Sequence, residues 1–185
     1  MSMDAHMTQV IPPATAPSRA SSMMTRSVMW IISTVVLVLD QVTKQIVRTE
    51  IALHDSIEVI PGLLNLVHVR NTGAAFGFLN VTELAYKRYL MTGIAIVALV
   101  AIVYYATQTG SRDILSRGGL ALIIGGAIGN LIDRATMGYV VDFIDVYWQS
   151  AHFWAFNVAD SAITVGASLL ILDTFLATDD VSTSH

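Results

Sequence analysis

Four long apolar stretches, separated by polar ones, organise the chain, and the length of each uncharged run limits what the stretch can be. A helix rises 1.5 Å per residue, so crossing the hydrocarbon takes roughly 20 residues. The run Tyr89 to Ser111 has 23 residues without a charge and reads as a complete span. Ser27 to Leu39 has only 13, and reaches span length by taking in Asp40 and Lys44. Gly118 to Ile132 has 15 and needs Asp133 and Arg134, while the fourth run, about Ala151 to Leu172, contains Asp160. No proline interrupts any of them. The first run is short enough for a signal-peptide core, but no small-residue cleavage pattern follows it. Between the first two spans, Ser56 to Ile60 and Leu63 to Arg70 are β-rich. They flank Pro61-Gly62, the pair that a type II turn takes at its centre, which predicts a small hairpin outside the membrane.

Composition supports a lipid-embedded chain. Hydrophobic residues make up 54% and charged ones 13%, with a mean hydropathy of +0.62, whereas globular proteins carry about 25% charged residues. A net charge of −4, with no basic run, gives no support for a nucleic-acid partner. The absence of cysteine excludes disulfides, thiolate metal sites and a cysteine nucleophile. His54, His68 and His152 are not spaced as a metal set. Residues 1–26 hold Pro12, Pro13 and Pro17 among Ala, Ser and Thr and read as a disordered tail. The predicted organisation is one four-span domain over 27–178, with a β insertion at about 48–84 and a short C-terminal tail at 179–185. Even parity puts both termini on one side. Charge does not say which side, because Arg19, Arg26, Arg112 and Arg117 fall with the termini and Lys44, Arg48, Arg70, Lys87, Arg88 and Arg134 fall opposite.

Ionisable residues inside spans cost at least about 2.5 kcal/mol each at the bilayer centre, so three spans that carry them point to function. Helical spacing puts Asp40 and Lys44 on one face, Asn130 beside Asp133 and Arg134, and Asn157 beside Asp160. Up-down topology brings the end of span one, the end of span three and the start of span four to one membrane surface. Asp142, expected in the short connection between spans three and four, can reach the same place. Peptide hydrolysis needs a base for water and an acid for the carbonyl oxygen and leaving amine, and two carboxylates sharing one proton supply both.

Several blocks together carry a resemblance to one family. They are Asp40-Gln-Val-Thr-Lys44, Asn71-Thr-Gly-Ala-Ala-Phe-Gly77, Gly129-Asn130-Leu-Ile-Asp133-Arg134, Gly138-Tyr-Val-Val-Asp142-Phe143 and Phe156-Asn157-Val-Ala-Asp160-Ser161. In this order, over roughly residues 27–178, they resemble lipoprotein signal peptidase, or signal peptidase II. The resemblance implies a mainly α integral membrane fold with four transmembrane helices and a small extracytoplasmic antiparallel β-cradle between the first two. It implies an aspartic endopeptidase of the bacterial cytoplasmic membrane, with cytoplasmic termini and a site near the extracytoplasmic face. Its partners would be membrane lipids and diacylglyceryl-modified prolipoproteins, cut just before the lipidated cysteine, and cyclic peptide antibiotics such as globomycin would inhibit it. It implies neither cofactor nor metal. Asp142 and Asp160 take the catalytic positions, and Asn71, Asn130, Arg134, Asn157, Asp40 and Lys44 the supporting ones.

Other readings stand beside it. Asp40 with Lys44 serves equally as a structural pair closing span one or as a substrate contact. Asp133 with Arg134 reads as a helix-end pair, and Asp142 taken alone as a solvated loop carboxylate. Gly125 and Gly129 form G-x-x-x-G, a helix-packing pattern rather than a phosphate cradle. A membrane metalloprotease would need His-Glu-x-x-His and a rhomboid-like enzyme Gly-x-Ser-Gly, and both are missing. The non-enzyme alternative is a transporter or proton channel with Asp40, Asp133 and Asp160 as a relay. Carboxylates spread through the membrane depth would favour it, whereas these cluster at one end.

Overall fold

A computed structural model describes residues 19–73, 86–110 and 114–182. In chain order the elements are α1 (Arg19–Glu50), β1 (Ser56–Ile60), β2 (Leu64–Asn71), α2 (Lys87–Gln108), α3 (Ile114–Thr136), β3 (Val140–Trp148), β4 (Ala151–His152) and α4 (Val158–Ser182). Four helices among the described residues are long and apolar enough to cross a membrane: Arg26–Glu50, Arg88–Gln108, Ile114–Thr136 and Val158–Leu176.

Helix α3 occupies the centre because its glycines let neighbouring backbones approach. A Cβ on Gly125 would meet the Ser33 carbonyl of α1 at 2.6 Å, and one on Gly126 the Ala159 carbonyl of α4 at 2.5 Å. Gly119 and Gly166 oppose each other in the same way, each facing the other's carbonyl. The G-x-x-x-G at Gly125 and Gly129 is therefore a packing seam against α1. Helix α1 answers with the stripe Ser33, Val36, Asp40, Lys44 and Val47, continued by Ile51 just past its end, whose three- and four-residue steps keep one face buried. Helix α2 packs on α3 alone among the described helices and leaves most of its apolar surface outward, as a lipid-facing span does.

The sheet differs from the expected hairpin. It has four antiparallel strands in the order β1-β2-β3-β4, so the connection between α3 and α4 supplies half of it. Asp142 lies in β3, paired with Val69 and 2% exposed, and is not a solvated loop carboxylate. The run Val140-Val141-Asp142-Phe143-Ile144-Asp145-Val146-Tyr147-Trp148 is β-branched and aromatic, which suits a pleated, half-buried surface. The Pro61-Gly62 turn forms, with Gly62 at φ +76° and Leu63 N–H donating to the Ile60 carbonyl at 3.0 Å. Val47 and Ile51 at the end of α1 pack with Val141 and Phe143 of β3, which seats the sheet on the bundle.

Two boundaries also move. The fourth span starts at Val158 rather than near Ala151, because the preceding residues pair with β3. Helix α1 starts at Arg19, inside the stretch expected to be disordered, where no proline follows Pro17 and Ala, Met and Arg favour a helix. Residues 1–18, 74–85, 111–113 and 183–185, including the second half of the Asn71 to Gly77 block, lie outside the described residues.

Candidate active site

The start of α4 is built by a capping box. Asn157 Oδ1 accepts from Asp160 N–H at 2.9 Å, and Asp160 Oδ2 accepts from Asn157 N–H at 3.3 Å. A cap thus fixes the Asp160 carboxylate at the helix N-terminus, where backbone dipoles favour negative charge. Asp160 Oδ1 takes a further bond from Asn130 Nδ2 at 2.8 Å. The pleat of β3 presents Asp142 to the same place. Its Oδ1 accepts from Asn157 Nδ2 at 2.7 Å and its Oδ2 from Asn71 Nδ2 at 3.0 Å. Asn71 is itself oriented, its Oδ1 accepting from Gly73 N–H at 2.9 Å.

Both carboxylates are therefore held by neutral amides, and neither has an ion-pair partner among the described residues. Burial foremost, and then the charge of Asp160, push the Asp142 pKa from 3.8 up to about 6. The amide bonds from Asn71 and Asn157, and the more distant charge of Lys44, act in the opposite direction.

A second polar group lies immediately behind. Lys44, fully buried, pairs with Asp40 at 2.8 Å and Asp133 at 3.1 Å and donates to Asn130 Oδ1 at 2.9 Å. All three ammonium donors are thereby used. Asp40 Oδ1 accepts from Ala159 N–H at 3.0 Å, tying α1 to the first turn of α4. Asp133 accepts from Val141 N–H at 3.3 Å and lies 3.9 Å from Arg48, tying α3 to β3 and α1. Gln41 Nε2 closes the group with bonds to Asp40, Asp133 and the Gly129 carbonyl. Asn130 joins the two groups, accepting from Lys44 and donating to Asp160.

Seven of the eight site residues expected from the sequence thus meet: Asp142, Asp160, Asn71, Asn130, Asn157, Asp40 and Lys44. Arg134 stands apart. Its guanidinium donates to the Asn130 carbonyl at 3.4 Å, one turn back on its own helix, and makes no ion pair with a described carboxylate. Asp133 is correspondingly not a helix-end partner of Arg134, because Lys44 satisfies it inside the bundle. Gln41 and the Ala159 amide went unread. Gln41 sits next to Asp40 in sequence, while the amide carries no signal at all. No group of three metal-ligating side chains occurs among the described residues.

Four membrane-capable helices, a sheet seated on one end of them, and a carboxylate pair of which Asp142 is buried and Asp160 half-buried define a polytopic membrane protein with its candidate site at one end of the bundle. Residues 32–176 match the family Signal peptidase (SPase) II. The lipoprotein signal peptidase of Symbiobacterium thermophilum is 47% identical over 142 residues, covering 77% of this chain and 90% of that protein. That of Maridesulfovibrio salexigens is 50% identical over 142 residues, covering 77% and 91%. A bacterial membrane enzyme solved by the in meso method superposes with a TM-score of 0.75 at 35% identity, covering 86% of this chain and 94% of that one. The chain belongs to the signal peptidase II family and is a bacterial membrane peptidase.

Proposed function

We propose that the protein is an aspartic endopeptidase that removes signal peptides from diacylglyceryl-modified prolipoproteins, cutting just before the lipidated cysteine, with Asp142 and Asp160 as the catalytic pair. The observation that carries this reading is the setting of the two carboxylates. They are close enough for one charge to raise the other's pKa, and they are held by amides, with no cation in ion-pair contact among the described residues. Two such groups share a proton. Asp142, its pKa raised to about 6, holds that proton more tightly than an ordinary carboxylate and keeps it in a fraction of the free enzyme as pH approaches neutrality.

In the reaction, Asp160 takes a proton from water as the water oxygen bonds to the scissile carbonyl carbon, and Asp142 gives its proton to the carbonyl oxygen. The C–N bond of the resulting diol then breaks. The amine leaves with the proton from Asp160, and a diol hydroxyl returns its proton to Asp142. The pair ends as it began. Asn71, Asn130 and Asn157 hold the carboxylates, Asp40 and Lys44 brace the three helices behind them, and Arg134 is free to meet substrate. A substrate anchored by acyl chains diffuses in the bilayer and brings its scissile bond to a fixed depth, which suits a site at the end of the spans.

The test is incubation of the purified protein in detergent with a diacylglyceryl-modified prolipoprotein and with its unlipidated twin. Cleavage of the lipidated form only is expected, and equal cleavage of both would refute lipid dependence. Inhibition by globomycin belongs to the same reading. For orientation, we place the termini in the cytoplasm and the sheet outside. Single cysteines at Ser56 and Gln108, both exposed, then report it to an impermeant thiol reagent in spheroplasts. Labelling at Gln108 and not at Ser56 would reverse the assignment.

A further inference from the structure

Trp148 at the end of β3 and Phe153 and Trp154 just after β4 flank the hairpin that joins the two strands, and they are 70, 64 and 70% exposed. Full burial of one such side chain is worth about 1.5–3 kcal/mol, so three in water would be a standing cost that the catalytic fold does not require. Tryptophan prefers the membrane–water interface, where its ring is half apolar and its N–H stays wet. The positions fit such a level. Trp154 precedes the first residue of the α4 span by four residues, and the exposed Tyr86 and Tyr89 stand at the start of α2 on the same end. From Tyr86, the residue that precedes α2, to the exposed Tyr105 near its far end is about 29 Å at 1.5 Å per residue, close to the thickness of a hydrocarbon core.

The hairpin is also rigidly joined to the catalytic frame. Phe153 N–H donates to the Val146 carbonyl at 2.7 Å, and Phe156 exchanges backbone bonds of 3.1 and 2.8 Å with Ile144. His152 Nδ1 meets Asp145 Oδ2 at 2.9 Å, and its ring stacks on Tyr147 at 5.2 Å. In sequence this braced segment lies between Asp142 on one side and Asn157 and Asp160 on the other. We propose that Trp148, Phe153 and Trp154 form an interfacial anchor, seated in the lipid headgroup region, that sets the depth at which Asp142 and Asp160 face the bilayer. The depth-setting half rests on the catalytic assignment above, whereas the anchoring half does not.

The anchor is tested in the full-length Trp30→Phe variant, which leaves Trp148 and Trp154 as its only tryptophans. It is placed in phosphatidylcholine nanodiscs whose acyl chains carry bromine either near the headgroup or near the bilayer centre. Shallow bromine is expected to quench emission about twofold, with less quenching by deep bromine and little by aqueous iodide. Strong iodide quenching without bromolipid quenching would overturn the anchor, as would stronger quenching from the bilayer centre. For depth, Trp148→Ser combined with Trp154→Ser should lower cleavage of vesicle-embedded prolipoprotein about fivefold, while detergent-micelle turnover stays within about twofold. Equal loss in both would mean that the aromatics touch substrate, and would overturn the depth-setting role. That outcome leaves the catalytic pair intact, which only the Asp142 and Asp160 variants test.

Discussion

Two carboxylate pairs lie side by side at one end of the bundle, and they are neutralised in opposite ways. Asp40 and Asp133 share the ammonium of Lys44 at 2.8 and 3.1 Å, and backbone amides of Ala159 and Val141 complete their shells. Among the described residues, Asp142 and Asp160 have the side-chain amides of Asn71, Asn130 and Asn157, the backbone N–H of Asn157, and each other. A buried carboxylate matched to a cation stays ionised and inert, because protonating it would leave the cation buried without its counter-charge. One matched only to neutral donors and a second carboxylate keeps a proton that it can give away. The first pair therefore braces three helices and the second is free for chemistry, although Asn130 and the backbone of Val141 touch both networks.

The largest effect should come from the second pair. Asp142→Asn or Asp160→Asn is expected to lower turnover by about three orders of magnitude or more while the protein still folds. The double variant should be no worse than either single one, since the two act as a unit. Turnover on lipidated prolipoprotein and thermal unfolding, measured on the same preparations, check this. Substantial cleavage by either single variant would abolish the distinction between the pairs.

Lys44→Met attacks the first pair and should behave in the reverse manner. It leaves Asp40 and Asp133 buried without their cation, for a loss of stability of about 3–5 kcal/mol. Asp40→Asn, which leaves the ammonium one counter-charge short, should cost less. In both, activity should fall only in proportion to folded protein, as read from the midpoint of thermal unfolding in detergent against specific activity.

A third prediction concerns pH. Because folding raises the Asp142 pKa from 3.8 to about 6, the folded chain binds this proton more tightly than the unfolded one. Stability from this group is complete below about pH 4 and is lost as pH rises through about 6, a change of up to about 3 kcal/mol. Unfolding midpoints measured from pH 4 to 7 should show that slope in the parent and not in Asp142→Asn. The smallest effect is that of Asn71→Ala. Removing a donor to Asp142 Oδ2 should raise the carboxyl pKa further and move the same transition to higher pH, at a cost of about 1 kcal/mol. A transition that does not move would mean that Asn71 holds its loop and not the carboxylate.

Local pattern in the chain was enough to determine the four spans, the Pro61-Gly62 turn, the glycine seam on α3, the Asp40–Lys44 neighbourhood and the shared face of Asn157 and Asp160. Each depends on run length, on backbone freedom or on helical periodicity, all of which act within a few residues. Helix packing decided the rest. Lys44 could have answered Asp40 alone, and it also answers Asp133 and Asn130 because Gly129 admits the Asp40 side chain against α3 and draws the two helices together. Asp142 could have been a loop carboxylate. It is a buried one because β2 offers β3 a partner from the far side of α2, some seventy residues earlier in the chain. Which carboxylate receives a cation and which must share a proton is settled only when these distant segments meet, since charge pairing depends on separation in space and no local spacing encodes it.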